Sequence, residues 1–288
     1  MKLHIEKMNG SDRTISYRRI GNGTRKAIFF HGFPGSCAQV AMFSPIVESN
    51  DLEVLSLDRP GYGNTSEAPL HHDQIATTLS DSKNLMQHLG WKTCEVIGVS
   101  GGTPFALSFS QSYPEFVSQT HIISGLGPLA HRGFGKLPNA KARLALKLLP
   151  LVPGVVLDRA ISSLKNSNTT ERPQVLKFFL PLSKPDQDVM HDTEIRAALK
   201  MAILEAFLTK GEGPKNDARS YLSPWGWELE KFRGGKVTFW HGDSDLVIPS
   251  EMSVLMSSLI PSAVLNIVPG EGHYSLAARR TGMMLAKT

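Results

Sequence analysis

A serine hydroxyl becomes a useful nucleophile only when a base takes its proton and an acid holds that base. Residues 98–104, GVSGGTP, offer such a serine. Ser100 follows an apolar run, CEVIGV, and precedes a helical pattern, TPFALSFSQSYP. Gly98 and Gly102, two residues on either side, leave the room that a sharp strand-to-helix turn requires. Gly101 follows the serine, so its N–H can face a developing oxyanion, helped by the partial positive charge of the helix start. Pro104 fits the first helical turn, where a missing N–H costs little.

The chain has ten histidines to supply a base. His273 stands out within PGEGHYSL, because Gly270 and Gly272 let a loop carry its ring over a sheet edge. The orienting acid should follow another strand, between serine and histidine in the chain. HGDSDLVIP offers Asp243 and Asp245. Asp243, directly after the strand-end glycine, reads as a turn cap, and Asp245 lies further into the loop, where it can reach His273. A second oxyanion donor is expected from HGFPGS: the N–H of Phe33, in a tight loop with Gly32, Pro34 and Gly35. His31 and Asp58 read as structural groups that orient loops.

These residues need a scaffold whose strands all end on one side. Continuous apolar runs at Ala27–Phe30, Leu52–Leu57, Cys94–Val99 and Val117–Ile123 read as strands buried on both faces. Ile15–Ile20 reads as a further strand ending at the turn Gly21-Asn22-Gly23. Strand character resumes at Lys236–Trp240 and at 263–268. Helices are expected over 73–89, from the serine turn to Tyr113, over 250–259 and at the C-terminus. Between Gly125 and Arg233 helical stretches (140–149, 156–164, 190–209) alternate with Pro and Gly breaks, without clear buried strands. Strand–helix alternation predicts a mostly parallel, twisted α/β sheet flanked by helices, residues 1–125 and 234–288, with a helical cap inserted at 126–233.

Composition fits a globular protein: 288 residues, 41% hydrophobic and 20% charged. Cys37 and Cys94 are too few for a disulfide framework and lack metal-ligand spacing, so they read as free thiols in a reducing, cytoplasmic setting. The N-terminus has no apolar signal region, and the most apolar stretch, Ala145–Leu157, is too short and broken to span a bilayer. The net charge of +5 is too small to argue for nucleic acid. It is uneven, however. Residues 126–235 hold 17 Lys and Arg against 11 Asp and Glu, leaving 14 against 15 elsewhere. The insertion thus carries the whole basic excess, read as a solvated face or as a field for anionic substrates.

Taken together, HGFPGS, DRPGYGNTS, GVSGGTP, HGDSDLVIP and PGEGH, in the order Ser…Asp…His, resemble the α/β-hydrolase fold family. The resemblance implies Ser100 as nucleophile, His273 as base, Asp245 as its orienter, Phe33 and Gly101 as oxyanion donors, and neither cofactor nor metal. Haloalkane dehalogenases and epoxide hydrolases of this fold place an aspartate where this chain has Ser100. Prolyl aminopeptidase-like members commonly have Trp where this chain has Gly101, which speaks against a peptidase. The expected activity is hydrolysis of a small or medium carboxylic ester. The alternatives are carbon–carbon bond hydrolysis or a lyase on the same residues, and a non-catalytic receptor. Phe134, Phe178, Phe179 and Phe207 are candidate pocket residues, with cap core as the favoured reading of each, and Trp225 and Trp227 are expected to anchor the cap to the core.

Overall fold

The computed structural model describes residues 2–7, 13–68, 73–135, 140–166 and 181–286. Eight strands build one sheet: β1 (Leu3–Lys7), β2 (Thr14–Gly21), β3 (Arg25–Phe30), β4 (Leu52–Leu57), β5 (Cys94–Val99), β6 (Val117–Ile123), β7 (Val237–Gly242) and β8 (Ala263–Val268). Their order is β1-β2-β4-β3-β5-β6-β7-β8. β1 and β2 pair antiparallel at one edge, and every pair from β4 to β8 is parallel. The seven anticipated strands are present. β1 was not anticipated: LHIEK is a half-exposed edge strand with too few apolar residues to signal itself.

The apolar runs are continuous because both faces of the sheet are covered. Alternate residues serve opposite cores, Ile28 and Phe30 facing one cluster, Ala27 and Phe29 the other. The first cluster takes in residues of α2 (Gln74–His88), α3 (Thr103–Ser112) and α9 (Glu251–Leu259). The second takes in Val47 of α1 (Ser44–Ser49) and Leu276, Ala277 and Met284 of α10 (His273–Met284).

Between β6 and β7 the described residues form α4 (Ala140–Leu148), α5 (Gly154–Asn166), α6 (Lys184–Val189), α7 (Thr193–Ala206) and α8 (Glu212–Tyr221). α6 and α8 were not anticipated: KPDQDV is short, and EGPKNDARSY holds few apolar residues to mark a buried face. α7 starts at an Asp192 cap, whose carboxylate accepts the N–H groups of Glu194 and Ile195. It turns the small residues Ala198, Ala202 and Ala206 inward, at the spacing that lets a helix approach its neighbour closely. At the return to the sheet, Trp225 is buried in the first core and the Trp227 indole donates to Ser108 Oγ at 2.9 Å, as the anchoring role requires. No described helix is long and apolar enough to cross a membrane.

Candidate active site

Ser100 directly follows β5 and starts the turn into α3. Its φ is +54°, a left-handed conformation that costs a non-glycine residue on the order of 1–3 kcal/mol. The glycines around it are explained by contact. A Cβ on Gly98 would lie 2.6 Å from the Ala106 Cβ, and one on Gly102 would lie 2.1 Å from the Phe30 carbonyl oxygen. A side chain at either place would push the turn off the sheet.

His273 is the first residue of α10, brought over the sheet by the loop after β8. Its Nδ1 lies 2.7 Å from Asp245 Oδ2. A carboxylate only accepts, so Nδ1 carries the proton and Nε2 is left with its lone pair. Asp245 follows β7, and its Oδ1 accepts the N–H groups of Val247 and Ile248 at 2.8 and 2.9 Å. Asp243 is a turn cap, as expected, accepting from Gly270 N–H and Ser244 Oγ.

The electrostatics of the pair are one-sided. Burial disfavours charge on both groups, yet their mutual attraction and hydrogen bonds outweigh it. Asp245 is held well below the usual carboxylate range by His273 and His241, and His273 is raised above its ordinary 6.5 mainly by Asp245. His241 was not singled out from the sequence. It is fully buried, with Nδ1 2.7 Å from Ser253 Oγ and Nε2 2.9 Å from the Ile248 carbonyl. That carbonyl fixes a proton on Nε2, which also lies 3.3 Å from Asp245 Oδ2. Its place in HGDSD, four residues before Asp245, was the available signal.

Ser100 and His273 line one cavity of about 40 Å³ with Gly32, Phe33, Met42, Phe43, Leu199 and Ile203. No hydrogen bond joins the Ser100 hydroxyl to the imidazole here; such contacts are often loose before substrate binds. The apolar wall from between β6 and β7 is α7, through Leu199, Ala202 and Ile203. Of the anticipated phenylalanines, neither of the two described ones, Phe134 and Phe207, is placed there. Phe134 is core, packed under Gly127, and Phe207 lies beside Gly211. Phe178 and Phe179 lie outside the described residues.

Phe33 and Gly101 are neighbours: a Cβ on Gly101 would fall 2.6 Å from the Phe33 Cβ. Among the described residues the Phe33 N–H has no protein acceptor. A fully buried ion pair supports both segments. Arg59 Nη2 bonds Asp217 Oδ2 of α8 at 2.5 Å, while Arg59 Nη1 donates to the His31 carbonyl at 2.7 Å. Tyr221, also of α8, donates to the Gly101 carbonyl at 2.9 Å and stands edge-on to the Phe33 ring. Arg59 and Asp217 stand 158 residues apart, a distance over which no local sequence pattern points to a pairing. His31 is structural, as expected: burial and then the Arg59 charge hold its pKa well below 6.5, so it stays neutral. Asp58 is also structural, accepting from Ser16 Oγ and Cys37 N–H.

Among the described residues, Cys37, Asp58 and Glu205 place ligand-type atoms within 4.8 Å of one another. Arg18 already supplies positive charge there, with Nη1 2.9 Å from Cys37 Sγ and 2.8 Å from Glu205 Oε2.

Residues 28–277 match the family model for the alpha/beta hydrolase fold, and the chain belongs to that family. It is 28% identical over 130 residues to a Bacillus subtilis protein named uncharacterized hydrolase YcgS, spanning 44% of this chain and 43% of that one. It is 24% identical to a Mycoplasma pneumoniae protein provisionally named a proline iminopeptidase, over 92% of this chain and 94% of the relative. A third relative, the 2-hydroxy-6-oxo-6-phenylhexa-2,4-dienoate hydrolase of Comamonas testosteroni, is 26% identical over 50% of this chain and 51% of its own length. The matched stretch thus spans about half or less of the length of two of these three relatives. Among solved structures, an esterase from Exiguobacterium antarcticum superposes with a TM-score of 0.66 at 18% identity, covering 97% of this chain and 95% of that one. Fold and relatives together support an enzyme of hydrolase type.

Proposed function

We propose that this chain is a serine hydrolase that cleaves a small carboxylic ester through an acyl-enzyme. The observation that carries the reading is the pairing of His273 with a buried Asp245 on the cavity that Ser100 also lines. In this reading His273 Nε2 takes the Ser100 proton as the hydroxyl oxygen bonds to the ester carbonyl carbon. The N–H groups of Phe33 and Gly101 stabilise the oxyanion, each on the order of 3 kcal/mol. His273 then protonates the leaving alcohol, and water repeats the sequence on the acyl-Ser100. Residues 126–233 act as a cap on a core formed by 1–125 and 234–288, and α7 supplies the apolar wall for the acyl group. Phe33, Met42 and Phe43 extend that apolar lining.

The test is an ester panel of graded acyl length beside fluorophosphonate labelling. Wild type is expected to label at Ser100 and to turn over small or medium acyl esters. Ser100→Ala is expected to lose on the order of 10⁴–10⁶ in kcat and all labelling. A Ser100→Ala protein with full activity overturns the reading. The Comamonas relative, named for a dienoate substrate, favours carbon–carbon bond cleavage as a second reading. Turnover of a vinylogous diketone faster than of every ester would select it.

A further inference from the structure

We propose that Asp186, from the segment between β6 and β7, is a positioning residue for His273: its carboxylate seats the N–H groups that open α10 and so fixes the imidazole on the cavity. The inference rests on the acyl-enzyme reading and adds to it a residue that never meets substrate.

The first N–H groups of any helix have no partner inside that helix. In α10 they belong to the residues that carry the candidate base. Gly272, at the cap position, has no side chain to offer them. Asp186 does so from 87 residues earlier. Its Oδ2 accepts from the His273 N–H at 3.1 Å, and its Oδ1 from the N–H groups of Tyr274 and Ser275 at 2.7 and 2.9 Å. Ser183 Oγ donates to Oδ2 at 2.8 Å, and Asp186 is fully buried. A negative charge is well placed at a helix N-terminus.

Gly272 supplies an independent sign of the same fit. Its φ of −101° and ψ of −157° suit any residue, so conformation does not call for glycine. Contact does: a Cβ there would lie 2.4 Å from Asp186 Oδ2 and 2.2 Å from Ser183 Oγ. The glycine beside the histidine is the space through which this carboxylate reaches the turn.

The consequence is geometric first. A backbone tethered at 273, 274 and 275 leaves the ring little freedom except rotation about its own side-chain bonds, and the Asp245 bond fixes that. Displacement by about 1 Å can cost ~10²-fold in rate. The second effect is electrostatic. The titratable groups around the imidazole are Asp245 on Nδ1, Tyr274 standing edge-on to the ring, and Asp186 at the backbone N–H groups, with His241 behind Asp245; both carboxylates favour the imidazolium that forms in the reaction.

The test compares Asp186→Asn and Gly272→Ala with Ser100→Ala, on the full chain and one ester. Asp186→Asn removes the charge and turns a donor toward the His273 N–H. It is expected to lower kcat about 10- to 100-fold with KM within about threefold. It should also move the acid limb of kcat/KM to lower pH, which a merely structural cap would not do. Gly272→Ala keeps the charge but displaces the carboxylate, and should lower kcat comparably. The double variant should be no worse than the poorer single, as expected for two changes acting through one contact. Folded single variants with wild-type kcat and an unmoved acid limb overturn the inference, as do losses that multiply in the double. If Asp186→Asn does not fold, Gly272→Ala decides alone, an unchanged kcat overturning the inference. Full activity in Ser100→Ala sinks the acyl-enzyme reading itself. Loss there beside wild-type behaviour in the other two sinks only this inference.

Discussion

The hydrogen bond between His273 and Asp245 runs one way: Nδ1–H donates and the carboxylate accepts, having no proton of its own to donate. That asymmetry determines how the site should respond to pH. Neutral His273 is the base, and Asp245 raises its pKa above 6.5. The acid limb of kcat/KM should therefore lie above pH 6.5, and a flat profile between pH 5 and 9 would count against the assignment. In Asp245→Asn the attraction is gone and the amide can favour the wrong tautomer. The expected loss in kcat is on the order of 10³–10⁴, with the limb moved to lower pH. Stability follows from the same shifts with opposite signs. His273, raised, stabilises the fold fully below pH 6.5 and loses this as pH rises through its folded value. Asp245, depressed, stabilises above pH 3.8 and loses this as pH falls toward its folded value. The drop in Tm between pH 4 and 2 should accordingly be shallower in Asp245→Asn than in wild type.

At the level of elements, β5, the serine turn and α3 form one unit whose glycines answer to neighbouring backbone. Gly102→Ala would place a Cβ 2.1 Å from the Phe30 carbonyl, on the strand that leads into the Phe33 loop. Backbone cannot swing away as a side-chain end can. The variant should lose at least ~2 kcal/mol in urea unfolding, toward the upper part of the overpacking range. A midpoint equal to wild type would refute this. Such places explain what could be read in advance. Strands buried on both faces declare themselves as apolar runs, and Ser100, Asp245 and His273 stand at turns where glycine has few other uses. α6 and α8 declared nothing. Their buried faces mix Val189, Ala218 and Tyr221 with Asp186, Lys215 and Asp217, and the partners of the two carboxylates lie far away in the chain. A buried carboxylate and a solvated one look alike in sequence, since only the fold decides which donors surround it. The cavity wall was not legible either: Leu199, Ala202 and Ile203 are ordinary helix residues, and nothing in their types singles them out.

For the molecule as a whole, the question is whether the segment between β6 and β7 moves as a lid or stands as part of the core. Three buried or half-buried polar links tie it down at separate places. Glu205 of α7 meets Arg18 and Ser36, Asp217 of α8 meets Arg59, Tyr62 and Gln74, and Asp186 of α6 holds the start of α10. Lifting the whole segment would strand Arg59 without its partner in a site from which water is excluded. The segment and the sheet should therefore unfold together, in one transition seen alike by far-UV and near-UV circular dichroism. Asp217→Ala leaves the guanidinium buried and uncompensated, and should cost about 3–5 kcal/mol. Because the pair is fully buried, counterions cannot reach it, and that cost should be the same at 0.05 and 0.5 M NaCl. A surface pair such as Lys231–Glu228 should contribute little, and salt would weaken it. Two separated transitions in wild type, or an Asp217→Ala cost that vanishes in high salt, would mean that the segment is a detachable lid and that Arg59 and Asp217 meet in water.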